Sequence, residues 1–282
     1  MRVMITGGRG QLGFDLAQVI QKSHDIFALD RAQLDVCDSA AVMAKVQEIS
    51  PDIVIHAAAY TRVDDAEQQP VKAFLTNAIG SRNIAIAAAV CRAKLVYIST
   101  DYVFDGRKGL PYNELDIPNP INVYGLSKYT GELFIQSLHK QAFIVRTSWL
   151  YGSNHCNHFV GKIIQGAKSL NSVKVVMDEV GSPTYTLDLA QFISQLMTSE
   201  HYGIYHATNQ GSCSRYEFAI AILEEAALDE VKVYPLTSEL YRLPAQRPKY
   251  SILDNQAMHA NGFVELPTWR DALNRYMKTV DI

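Results

Sequence analysis

Thr6-Gly7-Gly8-Arg9-Gly10-Gln11-Leu12-Gly13 decides the reading of this chain. Met1 to Ile5 before it reads as a short strand, and a helical pattern starts at Leu12. Gly7, Gly10 and Gly13 thus sit at a strand-to-helix junction, where glycines permit a tight turn, approach of a pyrophosphate to the backbone, and close helix–strand packing. The helix N-terminus behind them offers unpaired N–H groups and its positive dipole end to phosphates. A dinucleotide site is the expectation.

Working outward, short β-branched runs alternate with longer helical patterns, which implies βαβ units and a parallel sheet. The strands expected are Arg2–Thr6, Asp25–Asp30, Ile53–Ala57, Lys94–Ser99, Ala142–Thr147 and Lys174–Met177, with helices over Leu12–Ser23, Ser39–Ile49, Pro70–Arg92 and Tyr124–His139. An α/β fold follows: a doubly wound Rossmann-type sheet over residues 1–150, with later segments returning to it, and a smaller C-terminal substrate lobe over 151–282. Beyond Asp178 the pattern loosens into helices near Thr186–Thr198 and Ser214–Ala227, a strand-like Gly203–His206, and a stretch spaced by Pro235, Pro244 and Pro248.

Composition narrows the function. The 282 residues suffice for a large core, and 26 Lys plus Arg against 29 Asp plus Glu, without like-charge runs, argue against nucleic-acid or membrane-surface partners. Cys37, Cys91, Cys156 and Cys213 lie far apart with no C-x-x-C pair, as expected of reduced thiols. The short first apolar run does not make a secretory signal, so the expected location is cytoplasmic.

Asp30 ends the second expected strand near the offset of a ribose-binding acid, where a carboxylate accepts from both ribose hydroxyls and disfavours a 2′-phosphate. Arg31, next to it, is suited to that phosphate, so NADPH and NADH both stay open. Tyr124 precedes Lys128 by one helical turn, which places an ammonium on the same face as a phenol. Leu95 to Ser99 reads as a buried strand running into Thr100 and Asp101, and carboxyl ends of parallel strands face the ligand crevice. Thr100, or Ser99, is placed to hydrogen-bond a substrate carbonyl beside Tyr124. Hydroxyl, tyrosine and lysine in this order predict hydride-transfer chemistry.

Ala57-Ala58-Ala59-Tyr60-Thr61-Arg62-Val63-Asp64, Ser99-Thr100-Asp101-Tyr102-Val103-Phe104-Asp105-Gly106, Asn122-Val123-Tyr124-Gly125, Arg146-Thr147-Ser148-Trp149-Leu150-Tyr151-Gly152 and Gly181-Ser182-Pro183-Thr184 carry a resemblance. With them the chain resembles the extended branch of the short-chain dehydrogenase/reductases, and within it the dTDP-4-dehydrorhamnose reductase family. The resemblance implies hydride delivery from NADPH or NADH to C4 of a dTDP-4-dehydro-β-L-rhamnose substrate, with Tyr124 as proton donor. It implies that Thr100 orients the ketone, and that Lys128 holds the nicotinamide ribose and acidifies Tyr124. By position it puts Gly7, Gly10, Gln11, Leu12, Gly13, Asp30, Ala57, Ala58, Ala59 and Lys128 along the cofactor, Asp35 and Val36 near the adenine, and Asn77 beneath it as a buttress. Thr61, Asp101, Tyr102, Phe104 and Trp149 fall where the family holds the sugar, with core packing an open alternative for Phe104 and Trp149. Arg247 matches a position suited either to the diphosphate or to solvent.

Some members bind Mg²⁺ through acidic side chains at a dimer contact, and Asp15 matches one such position. Leu187 and Gln191 occupy others that are acidic there, with Asp188 adjacent, so no metal is expected, while a homodimer stays open. His155, Cys156 and His158 raise zinc, but no fourth ligand is evident. Two alternatives remain: another nucleotide-sugar enzyme of the superfamily, such as an epimerase, and a non-catalytic regulatory subunit. The first is separated by tightly retained NAD, and the second is disfavoured by the presence of both Tyr124 and Lys128.

Overall fold

The computed structural model describes residues 1–152 and 158–280. In chain order its elements are β1 (Arg2–Thr6), α1 (Gln11–Ile20), β2 (Asp25–Leu29), α2 (Ser39–Ile49), β3 (Ile53–His56), α3 (Val63–Gln68), α4 (Pro70–Phe74), a π-helical turn (Leu75–Ile79), α5 (Gly80–Val90) and β4 (Lys94–Thr100). A 3₁₀ turn (Asp101–Val103), α6 (Val123–Leu138), β5 (Ala142–Thr147), β6 (Leu150–Tyr151), α7 (Phe159–Leu170), β7 (Ser172–Val176), β8 (Val180–Gly181) and β9 (Thr184–Tyr185) follow. The chain closes with α8 (Thr186–Leu196), β10 (Gly203–His206), β11 (Cys213–Ser214), α9 (Arg215–Glu225), β12 (Lys232–Leu236), α10 (Gln256–Ala260) and α11 (Trp269–Met277).

Six strands form one parallel sheet in the order β2-β1-β3-β4-β5-β10. β3 and β5 are buried along their whole length, which is why they read as continuous apolar runs rather than alternating ones. Alternate residues still choose opposite layers. Val3, Ile5, Ile53, Ile55 and Val96 pack with Leu12 and Leu16 of α1 and Leu189 and Ile193 of α8. Met4, Val54, Leu95 and Ile144 pack on the other side with Val42 and Val46 of α2 and Ile84 and Ala88 of α5. The Rossmann-type α/β fold read from the sequence is therefore present, and strand order reverses between β1 and β3, where such sheets bind ligands.

Segments beyond residue 151 return to this sheet: β10 extends its edge beside β5, and α8 covers α1. The strand expected at Lys174–Met177 is a correction. It forms as β7 but pairs with β12 in a separate two-stranded ribbon. Its burial alternates, with Lys174 exposed between Val173 and Val175, so one face is solvated and it cannot sit inside a doubly covered sheet. A third hydrophobic cluster, built only of residues beyond Thr147, joins α7, β7, α9 and α11 through Val160, Ile163, Phe218, Ile222, Leu273 and Tyr276.

Pro70–Val90 runs as one helix interrupted by the π turn. It has the length and composition of a membrane span, yet Ile84, Ala85, Ala87 and Ala88 are fully buried in the fold. An apolar helix buried as a protein core passes the same test.

Candidate active site

A cavity of about 940 Å³ opens at the carboxyl ends of β1, β3, β4 and β5, across the point where the strand order reverses. Its volume lies in the range of a cofactor and substrate pocket.

The glycine turn forms one end. Gly7 has φ +72° with its would-be Cβ 2.8 Å from the Ala58 amide nitrogen, so both conformation and space demand glycine. A side chain at Gly13 would overlap the Gly7 carbonyl oxygen. Gly10 differs: its would-be Cβ meets only the Gly7 oxygen, at 3.1 Å, and otherwise faces the open cavity. Gly10 is the N-cap of α1 without a side-chain cap, so the first-turn N–H groups are left for a ligand. Gln11 lines the cavity, and its buried Nε2 donor lacks a hydrogen-bond partner among the described residues. These features fit a nucleotide diphosphate.

Leu12, Asp30, Arg31, Asp35, Val36, Ala57, Ala58, Ala59 and Thr61 line the same cavity. Asp30 is not a bare carboxylate. Oδ1 accepts from the Ala32 and Gln33 amides at 2.9 and 3.0 Å, and Oδ2 pairs with Arg9 Nε at 3.0 Å. Arg9, inside the glycine turn, escapes sequence reasoning because a variable position of the motif says nothing of where its side chain reaches. Arg31 is exposed, 3.7 Å from Asp35. Two guanidinium groups, one paired with Asp30 and one beside Asp35, therefore stand at this end of the cavity.

Asn77 lies outside the cavity wall, in the π turn. Its Oδ1 accepts from the Tyr60 amide at 2.7 Å, and Nδ2 donates to the Tyr60 carbonyl at 3.1 Å and to Ser127 Oγ at 2.9 Å. Ser127 Oγ in turn donates to the Tyr124 carbonyl at 2.7 Å.

The far end holds Thr100, Asp101, Tyr102, Tyr124, Lys128 and Trp149. Thr100 ends β4, where its hydroxyl accepts from the Tyr102 amide at 3.2 Å and donates to Asp101 Oδ1 at 3.0 Å. Burial pushes the Asp101 carboxyl up to about 6 against the opposing hydrogen bonds from Ser251 and Thr100. Tyr124 stands in the first turn of α6, its ring edge-on to Tyr102 with centroids 5.9 Å apart.

Burial raises the Tyr124 phenol above its ordinary value, the Thr100 hydroxyl opposes this, and Asp101 and Tyr102 add to it. The Lys128 amine is held by its own contacts: Nζ donates to the Ile98 carbonyl at 2.6 Å and lies 4.1 Å from the Tyr97 ring centroid. Lys128 is itself buried, which pushes it down to about 7 against the pull of Glu132, one turn further along α6. Glu132 is fully buried and bonded to Arg146 at 2.7 and 3.0 Å and to Ser99. Removing one partner of such a pair costs about 3–5 kcal/mol, so this floor under Lys128 is rigid.

Two sugar-site assignments need correction. Phe104 does not reach the cavity: it is fully buried, stacked on Tyr112 at 4.2 Å and capped by the Arg146 guanidinium. Arg247 does not line it either, since Nη1 and Nη2 grip both Asp64 oxygens at 2.7 and 2.6 Å. Trp149 does line it, in a left-handed conformation (φ +48°), with Arg215 stacked 3.5 Å from its ring centroid. Phe159 and Arg215 complete this end and carry no motif that sequence reasoning could use.

Asp15 is buried between α1 and α8, accepting a hydrogen bond from Thr186, while Asp188 is bidentate to Arg275 at 2.7 and 2.8 Å. His158 caps α7, with Nδ1 accepting from the Gly161 amide, and His155 and Cys156 lie outside the described residues.

The family described as RmlD substrate binding domain matches residues 1–282. The spore coat polysaccharide biosynthesis protein SpsK of Bacillus subtilis is 40% identical, over 98% of this chain and 97% of its own. A dTDP-4-dehydrorhamnose reductase of Mycolicibacterium smegmatis is 39% identical over 96% of this chain and 84% of its own. Among solved structures, dTDP-4-dehydrorhamnose reductase from Bacillus anthracis, in complex with NADP, superposes with a TM-score of 0.96 at 46% identity, over 99% of both chains. With the glycine turn, the Thr100-Tyr124-Lys128 end and a full-length match all in hand, the chain belongs to the RmlD substrate-binding-domain family.

Proposed function

We propose that this protein reduces the C4 ketone of dTDP-4-dehydro-β-L-rhamnose to dTDP-L-rhamnose, with NADPH or NADH as reductant, in the cytoplasm. The observation that carries the reading is the convergence of Thr100, Tyr124 and Lys128 on the cavity that also contains the glycine turn. The full-length relatives that bear the reductase name support the choice of sugar.

The nicotinamide cofactor, when bound, supplies the hydride. Gly7, Gly10, Gln11, Leu12 and Gly13 hold its diphosphate, Asp30 and Arg31 its adenosine ribose, Asp35 and Val36 its adenine, and Ala57 to Ala59 its flank. Thr100 hydrogen-bonds the ketone oxygen and Tyr124 passes its phenolic proton to O4. The phenol is neutral and protonated at neutral pH, and burial raises it further above its ordinary value of 10. Lys128 holds the nicotinamide ribose, for which its amine must turn from the Ile98 carbonyl. Thr61, Asp101, Tyr102 and Trp149 surround the sugar, and residues 151–282 supply most of the substrate lobe.

The test is loss of nicotinamide absorbance with enzymatically prepared dTDP-4-dehydro-L-rhamnose, with the product identified by NMR. Rapid oxidation giving dTDP-L-rhamnose is expected. A protein that binds cofactor yet oxidises neither NADPH nor NADH with this sugar would sink the proposal and favour a regulatory role.

A further inference from the structure

A dTDP-sugar carries two adjacent phosphate charges that its binding site must answer. The cations along the cavity are unevenly placed. Arg9 and Arg31 stand at the Asp30 end, and Lys128 is buried in the middle with its ammonium on the Ile98 carbonyl. At the end lined by Trp149 and Phe159, Arg215 is the one Lys or Arg among the described lining residues. Arg247, the sequence candidate for this task, is committed to Asp64 and stands outside the lining.

The Arg215 side chain is built into position. Its guanidinium stacks on the Trp149 indole at 3.5 Å and approaches the Phe159 ring at 5.0 Å, which fixes the plane of the fork. Trp149 is fixed in turn, for its ring occupies the space of a side chain at Gly181: a Cβ there would lie 2.7 Å from Cε2. Trp149 also takes a left-handed backbone, strained for a bulky residue. Among the described residues the one ion pair of Arg215 is with Glu179, on its Nε side at 3.9 Å, beyond hydrogen-bond distance, and the buried Asp101 carboxyl lies within its electrostatic reach. The terminal nitrogens are thereby left to bind an oxyanion.

We propose that Arg215, planted on Trp149, is the side chain that recognises the diphosphate of the nucleotide-sugar. This rests on the reading of the substrate as a dTDP-sugar and adds the residue that reads its charge. A planar, stacked guanidinium donates two parallel N–H bonds to phosphate oxygens, which a lysine cannot reproduce.

The experiment is calorimetric titration of the full chain with dTDP, thymidine and NADPH, for wild type, Arg215→Met, Arg215→Lys and Arg247→Met, each checked for native circular dichroism. Arg215→Met should weaken dTDP by ~10–100-fold, as expected for charge-assisted hydrogen bonds lost, while thymidine and NADPH affinities stay within about twofold. KM for the dTDP-sugar should rise in parallel with the dTDP loss, with kcat changed far less. Arg215→Lys should fall between the two, which keeps the idea testable should the methionine variant fold poorly. Unchanged dTDP affinity in a folded Arg215 variant, or the loss appearing with Arg247→Met instead, would overturn the assignment. If wild type turns over the sugar while Arg215 variants bind dTDP normally, only this inference falls. If wild type binds dTDP through Arg215 yet reduces no 4-keto sugar, the proposed activity falls and the diphosphate site stands.

Discussion

Replacing Tyr124 by Phe removes one oxygen and nothing else the fold depends on. The ring keeps its edge contact with Tyr102, the first turn of α6 keeps its Asn122 cap on the Gly125 amide at 2.7 Å, and the Ser127 bond goes to the Tyr124 carbonyl. Thermal stability and NADPH affinity should therefore match wild type. Turnover should not, since a positioned general acid contributes ~10²–10⁴-fold, equivalent to about 2.7–5.4 kcal/mol of barrier at ~1.36 kcal/mol per decade. The assay is single-turnover NADPH oxidation with both ligands saturating, so that the chemical step is read without product release. Retention of more than about a tenth of the wild-type rate would refute the assignment. Tyr102, whose phenol burial pushes up to about 12 in the same cavity, is then the next donor to remove.

Three other outcomes are expected. Gly10→Ala should fold with near-native melting temperature but bind NADPH at least about tenfold more weakly, because its new methyl projects into the cavity; Gly13→Ala should lose the fold or much of its stability through collision with the Gly7 carbonyl, and equal behaviour of the two would contradict this division. Asp30→Ala should shift the ratio of NADPH to NADH affinity towards NADPH, since Arg9 loses the carboxylate it is paired with, and an unchanged ratio by titration would show that Asp30 does not read the ribose. Burial holds His56 and His206 down to about 3 from an ordinary 6.5, so folded protein keeps them neutral while unfolded chain protonates them as pH falls. Their contribution is intact above pH 6.5 and is lost below it, at about 1.4 kcal/mol per pH unit for each histidine. Urea titrations of His206→Gln between about pH 4 and 6 should show a shallower pH slope by that amount, and an unchanged slope would mean His206 is protonated in the native state.

The sheet is legible in the sequence because its central strands carry unbroken β-branched runs between turns, and the glycine turn is legible because sterics at Gly7 and Gly13 leave no other residue type. β7 misleads because an apolar run tells little of how many of its faces are covered, and Ser172–Val176 is covered on one. Phe104 misleads because the chain leaves β4 through a 3₁₀ turn, so the alternation that puts Thr100 at the cavity does not carry four residues on. Arg9 and Arg215 are invisible to motif reading: each acts through a contact made by folding, one across the glycine turn to Asp30, the other to the Trp149 indole, 66 residues earlier in the chain but packed on the same hydrophobic cluster as α9. The direction of the Lys128 ammonium is likewise a matter of burial and a nearby carbonyl, which the four-residue spacing from Tyr124 does not encode.

The Asn77 amide joins three parts of the chain that sequence keeps far apart: the loop after β3, the π turn that bears it, and the start of α6. The Asn77 carbonyl accepts from Ser81 Oγ at 2.6 Å and lies 3.4 Å from the Tyr97 hydroxyl. Like a keystone, one small amide thereby ties the cavity wall after β3 to the helix that carries Tyr124. The two walls are clamped as one piece, so under the proposed chemistry the spacing between the bound cofactor and Tyr124 is decided at folding rather than at binding.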